Sequence, residues 1–368
     1  MPFNAKSLVS LRSWLFYAEV VAVIGFVTLA FFYIQRGTAE PESPPLSQVG
    51  AFIEKADALF KKHDLVDAAL YYWQALRALE TEDEVQGISI NGSSQTSAEV
   101  RLHANLRIAE IYLQSNWLRD SQARLEYAAR IQPEHAGVRL LRGKLFRDEG
   151  LLAEATAEFL AVLKNAPDDA EAHYLLGVLY QGSKQFEQAS KHYAKAIEND
   201  PEFLNIPSEK APIGILARLQ LSRTYTKMLQ GYQFLDREFT EEDLAAVTRL
   251  ESESIRLLEQ AHENMPEMNE VVDDLVRLLF ARASALERED VETRQYGDAL
   301  QVYERIVELD PEEVRAWERM GEIYMSFLGD KEAALKVYRK VYEIEPHPTV
   351  LANVKSLEED IAAEKLEE

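Results

Sequence analysis

The chain has 368 residues, 47% of them hydrophobic, enough for one large or two ordinary domains. Its 63 Asp and Glu against 40 Lys and Arg leave a net charge of −23, which repels a phosphate backbone and points away from nucleic acid toward basic or neutral partners. Cysteine is absent, which rules out a disulfide framework, a thiolate metal site and lipid attachment through a thiol.

Residues 1–12 form a short tail carrying Lys6 and Arg12. Residues 13–36 follow, with an apolar run from Trp14 to Ile34 whose one charge is Glu19. That is about the length a bilayer-spanning helix needs. Basic residues lie ahead of the run, while Arg36 is soon followed by Glu40 and Glu42. The positive-inside rule then puts the N-terminus in the cytoplasm and the rest of the chain across the membrane, in the periplasm. A signal peptide cleaved near Gly37-Thr38-Ala39 is the competing reading. The length and aromatic content of the run rank it second. Glu19, about one turn inside the leaflet, either snorkels to the interface or contacts a membrane helix of another subunit.

Residues 37–48, with Pro41, Pro44 and Pro45, read as an extended spacer. A first helix pair is expected over 49–82, with Ala56, Leu59, Ala68, Tyr72 and Ala75 on its inner stripes. Residues 81–98 are rich in Ser, Gly and Glu and are expected as a mobile loop, although Asn91-Gly92 suits a tight turn.

One pattern then runs three times without a gap, over 102–135, 136–169 and 170–203. Ala109, Gly143 and Gly177 share a slot, 34 residues apart. Tyr112, Phe146 and Tyr180 share another, and so do Ser121, Ala155 and Ala189. Leu125, Phe159 and Tyr193 recur next, then Ala128, Val162 and Ala196, and each copy ends on Pro133, Pro167 or Pro201. Each copy reads as two amphipathic helices. Small residues sit where the helix axes approach, aromatics fill the space beside them, and proline stops the second helix. Such a hairpin cannot bury its apolar face alone, so neighbours must stack.

The period and these residue types resemble the tetratricopeptide (TPR) repeat family. The resemblance implies an all-α fold, a TPR superhelical solenoid of helix-turn-helix repeats over 49–348, preceded by one N-terminal transmembrane helix. Stretched copies continue over 215–268, 269–313 and 314–348. The first takes an insertion between Thr226 and Arg249, where Thr240 to Asp243 reads as a capping box opening a long helix. The last repeat has one added residue in its turn. Residues 349–368 read as a closing helix with Val350, Val354, Leu357 and Ile361 on one face.

No catalytic constellation stands out. The seven histidines show no metal-ligand spacing, and His173 occupies a packing slot. Gly137 to Lys144 approaches a phosphate loop, but five residues separate the glycines and no Ser or Thr follows the lysine. A non-enzyme is therefore expected, with no cofactor, metal or small-molecule substrate. In TPR proteins the first helices line an inner groove. Carried residue by residue onto this chain, that groove holds Leu106, Leu140, Lys144, Arg147, Tyr174, Val178, Leu219 and Arg223. An alternative protein contact is the taller hairpin bearing Tyr232, Phe234 and Phe239. The expected role is a membrane-anchored scaffold for envelope or membrane-complex subunits. An import or targeting receptor facing the cytosol, or an accessory subunit of a large membrane complex, is the alternative.

Overall fold

The computed structural model describes residues 44–80, 84–201, 211–232, 238–288 and 296–367. The apolar run over 13–36, Glu19, most of the spacer and Phe234 lie outside them. Among the described residues there are fifteen α-helices and one two-stranded β-hairpin, and no helix is long and apolar enough to cross a membrane. The chain divides into two compact units, Met1–Val162 and Leu163–Glu368.

The first unit contains α1 (Val49–Lys61), α2 (Leu65–Ala78), β1 (Ile88–Ile90), β2 (Ser93–Gln95), α3 (Ser97–Gln114), α4 (Leu118–Ile131), α5 (Ala136–Asp148) and most of α6 (Leu152–Asn165). Consecutive helices pair as hairpins. The turn between the helices of a pair closes on a residue in the left-handed region: His63 at φ 64°, Asn116 at φ 59° and Gly150 at φ 80°. A left-handed residue just past the helix end lets its last carbonyls find donors. Between α5 and α6 the axes approach so closely that a Cβ on Gly143 would lie 2.4 Å from the ring of Phe159.

The insertion in this unit is an ordered hairpin and not the expected loop. β1 and β2 pair antiparallel, and the two residues between them, Asn91 (φ 48°) and Gly92 (φ 78°), are both left-handed. That combination makes the tight turn whose twist matches the strands. Ile88 and Ile90 bury themselves with Val49, Ile53 and Val100. Gly50 permits this: a Cβ there would stand 2.0 Å from the Ser89 carbonyl oxygen.

The second unit contains α7 (Ala170–Gly182), α8 (Phe186–Asn199), α9 (Ile213–Tyr232), α10 (Glu241–Asn264), α11 (Asn269–Arg288), α12 (Tyr296–Leu309), α13 (Val314–Ile323), α14 (Lys331–Ile344) and α15 (Pro348–Glu367). Gly177 and Gly321 face aromatic rings of α8 and α14, with a Cβ position 2.6 Å from Tyr193 and 2.9 Å from Tyr338. Here added residues lengthen helices: α9 and α10 have 20 and 24 residues, where α7 and α8 have 13 and 14. At about 1.5 Å per residue the hairpin is roughly 10–15 Å taller. Thr240 opens α10 with a reciprocal capping box: its hydroxyl accepts from the Asp243 amide at 3.1 Å, and its own amide donates to Asp243 at 2.9 Å. The extra residue in the last repeat is absorbed by a π-helical turn, Tyr324–Leu328, stopped by Gly329 at φ 67°. Val350, Val354 and Leu357 of α15 close the unit against Tyr338 and Val341.

Candidate functional site

The first helices of the repeats are where the sequence places binding residues, and each unit carries its own set. In the first unit, Leu140, Lys144 and Arg147 stand at i, i+4 and i+7 of α5, so they share one face. All three are half-buried. The other basic residues of α5 turn elsewhere: Arg139 and Arg142 donate to the Glu158 carboxylate of α6 at 3.0 and 3.2 Å. Arg147 donates to its neighbour Asp148 at 2.9 Å. Leu106 of α3 is half-buried between two small apolar clusters and reaches toward Gly137. One position before it, Asn105 is 5% exposed. It donates to the Arg101 carbonyl at 2.7 Å and accepts from Arg124, so its amide is used within the packing of the helices.

Sequence reasoning missed a polar hub in this unit. Asp57 of α1 accepts from the Tyr72 hydroxyl of α2 at 2.5 Å and meets His103 Nε2 of α3 at 2.8 Å. Burial alone would raise the Asp57 carboxyl, but the bonds from His103 and Tyr72 outweigh it and hold the group below its ordinary value. Burial, with Asp57 accepting its proton, pushes Tyr72 up. Tyr72 and His103 are 15 and 46 positions from Asp57, and each alone looks like an ordinary helix residue. The hub ties α1, α2 and α3 together.

In the second unit, Tyr174 and Val178 stand at i and i+4 of α7. Val178 is half-buried. Tyr174 is only 9% exposed and tilts against Tyr193 of α8, ring centroids 6.0 Å apart. Gln181, a turn further, donates to the Thr224 hydroxyl of α9 at 2.9 Å and accepts from the Tyr193 hydroxyl at 3.3 Å. Behind this row His173 is buried, as its packing slot implies. Its Nε2 lies 3.0 Å from the Pro167 carbonyl, which can only accept, so that nitrogen carries the proton. In the neutral ring His173 Nδ1 is then the acceptor for His192 Nδ1–H at 3.0 Å. His192 also stacks on Tyr180, centroids 5.3 Å apart. Burial, followed by the neighbouring His173, lowers the His192 imidazole below its ordinary value.

One expected groove residue is corrected. Leu219 is 1% exposed and belongs to the core with Leu258, Val271 and Leu275, so it has no surface to offer a partner. The Arg223 guanidinium is used within the chain, donating to Asp274 at 2.5 Å and to Glu270 at 3.1 Å on α11. Leu219 is covered by α10 and α11, which run 24 and 20 residues. At the taller hairpin, Tyr232 and Phe239 meet edge to face at 6.4 Å, with Phe239 45% exposed. Among the described residues no cluster of three His, Asp or Glu converges as metal ligands.

Stacked two-helix hairpins with a small residue against an aromatic ring define a helical repeat protein. Residues 106–170 and 281–348 match one description of the tetratricopeptide repeat and residues 170–203 another. The chain thus carries TPR repeats over these stretches. No curated protein shows detectable similarity to it. Similar solved structures include a tetratricopeptide repeat protein from Parabacteroides merdae, at 16% identity and TM-score 0.39, covering 84% of this chain and 98% of that one. The C-terminal part of a TPR repeat-containing protein from Cytophaga hutchinsonii shares 14% identity at TM-score 0.48, covering 82% and 99%. PilF of Pseudomonas aeruginosa shares 14% at TM-score 0.42, covering 72% and 99%.

Proposed function

We propose that this chain is a non-enzymatic, single-pass membrane scaffold whose repeats lie in the periplasm and hold protein partners during assembly or stabilisation of a bacterial envelope complex. Tandem TPR hairpins support the scaffold reading, because each presents the face of its first helix. The observation that carries a binding role is the face of α5, where Leu140, Lys144 and Arg147 line up while Arg139 and Arg142 are turned toward Glu158. An apolar side chain flanked by cations suits a segment with an apolar anchor and an acidic residue or terminal carboxylate. Val178 on α7 is a further contact in the second unit. Tyr174 contributes mainly by holding Tyr193. The apolar run over 13–36 supports the anchor.

Purification in mild detergent identifies the partner, and the same purification with Lys144→Glu and Arg147→Glu is expected to lose it. Retention of every partner by that variant would refute the α5 face. A reporter active only outside the cytoplasm, fused after Gln48, is expected to work. A silent fusion there would favour the cytosol-facing receptor. Phe239 and Tyr232 support a second contact at the tall hairpin, and loss of the partner on Phe239→Ser alone would move the site there.

A further inference from the structure

We propose that the outer face of α2 and α4 rests on the bilayer surface, laying the first unit against the membrane. The inference rests on the membrane anchor proposed above. Val66, Leu70 and Trp73 stand at i, i+4 and i+7 of α2 and are 50, 51 and 38% exposed. The opposite stripe of the same helix, Ala68, Tyr72 and Ala75, is fully buried and does the repeat's packing. Val66 and Leu70 of the outer stripe lie off that packing. On α4, Tyr127 and Ile131 are 49 and 38% exposed, one turn apart. The Arg124 guanidinium joins the two helices, lying 4.6 Å from the ring centroids of both Trp73 and Tyr127. Arg130 sits 5.4 Å from the Tyr127 ring. Neither arginine is ion-paired among the described residues.

Charge and tether select the occupant. Residues 44–162 hold 13 Lys and Arg against 17 Asp and Glu, whereas residues 163–368 hold 24 against 43. Anionic headgroups repel the second set far more than the first. Only twelve residues separate Arg36 from Val49, a reach of at most about 40 Å. Trp and Tyr present apolar bodies with polar tips, and Arg extends a charge to lipid phosphate while its stem stays on apolar surface. Aliphatic side chains between such residues are the chemistry of the interfacial belt. Asp67 and Glu126 flank the face, so it lies at headgroup depth and not among the acyl chains.

The four tryptophans make the test direct, since Trp14, Trp73, Trp117 and Trp317 occupy different regions. Full-length single-Trp variants, the others replaced by Phe, are placed in nanodiscs of phosphatidylethanolamine and phosphatidylglycerol carrying nitroxide-labelled lipid. Trp14 is expected to be quenched by acyl-chain nitroxide, and Trp73 by headgroup nitroxide several-fold more than Trp317. Val66→Glu with Leu70→Glu is expected to reduce Trp73 quenching to the Trp317 level while Trp14 is unaffected and helicity is kept. Quenching of Trp14 with Trp73 no better quenched than Trp317 overturns the proposal and leaves the anchor standing. Absence of Trp14 quenching overturns the anchor and the proposal together. A photo-crosslink from position 70 to a protein, with Trp73 unquenched, makes the face a protein interface and likewise overturns it.

Discussion

The two units solve the same packing problem with different materials. The first is near neutral, folds its insertion into a β-hairpin and ties its opening helices with the Asp57–Tyr72–His103 hub. The second carries most of the negative charge, builds its additions into longer helices and backs α7 with a layer of histidine and tyrosine rings. Hairpin stacking fixes only the inner stripes of each helix pair. What lies outside those stripes is free to differ, and there the units diverge in charge and in exposed apolar surface.

The shared feature is the contact between a small residue and a ring, so breaking it should hurt both units equally. A leucine at Gly143 would drive into Phe159, and one at Gly177 into Tyr193, which is fully buried and has nowhere to move. Each substitution is expected to cost about 3 kcal/mol, the upper part of the overpacking range. Hydrogen exchange resolved by peptide reads the loss unit by unit. Unchanged protection around α7 and α8 in Gly177→Leu would mean that the helices do not approach as described.

The insertion should break alone. Gly50→Ala puts a methyl against the Ser89 carbonyl, and backbone cannot yield as a flexible side chain can. A cost of about 2 kcal/mol is expected, concentrated on the hairpin. Amides of Ile88 and Ile90 should exchange faster while α5 and α6 keep their protection. Equal loosening throughout the unit would show that the hairpin is integral to its core.

Acid should separate the units. His192 is lowered when folded, so as pH falls through about 6.5 the unfolded chain takes up the proton first. The second unit therefore loses stability below that pH and stops losing it once folded His192 titrates as well. Asp57 is also lowered, but from the carboxylate range. Its contribution is complete above about pH 4 and is lost as pH falls from there through the folded value. Between pH 7 and 5, exchange should accelerate in α7 and α8 and not in α1 to α3. His192→Phe is expected to remove the first step. Asp57→Asn should cost about 1 kcal/mol at pH 7 and remove the second.

How far the sequence could be read follows the same division. The slots of Gly143, Gly177, Phe159 and Tyr193 recur at fixed spacing, because stacking demands them, and they located the helix pairs directly. The Thr240 capping box was equally legible, since both partners lie within one turn. The Asp57 hub was not, because its members come from three helices, and a repeat register that puts Tyr72 inside says nothing of the Asp57 and His103 it meets. The hairpin over 88–95 was misjudged because polar composition was weighed above Asn91-Gly92, and because the glycine that admits it, Gly50, is nearly 40 residues away. Leu219 was misplaced because a repeat register fixes which side of its own helix a residue occupies. It does not say how long the neighbouring helices grow.

The smallest structural effect is expected where the functional effect is greatest. Lys144 and Arg147 lie on the half-exposed side of α5, and neither fills a core. Reversing both removes the Arg147–Asp148 pair, a surface contact, and should lower stability by no more than about 1 kcal/mol. The same reversal replaces attraction for an acidic partner by repulsion, and that loss should be larger at low salt than at high salt, where the interaction is screened. In contrast, Arg223→Glu in the second unit would set a new carboxylate against Asp274 and Glu270, so it should lower stability. The pair of variants distinguishes a cation that serves a partner from one that serves the fold. Equal melting losses in both variants, with the partner retained, would show that the α5 cations are structural too.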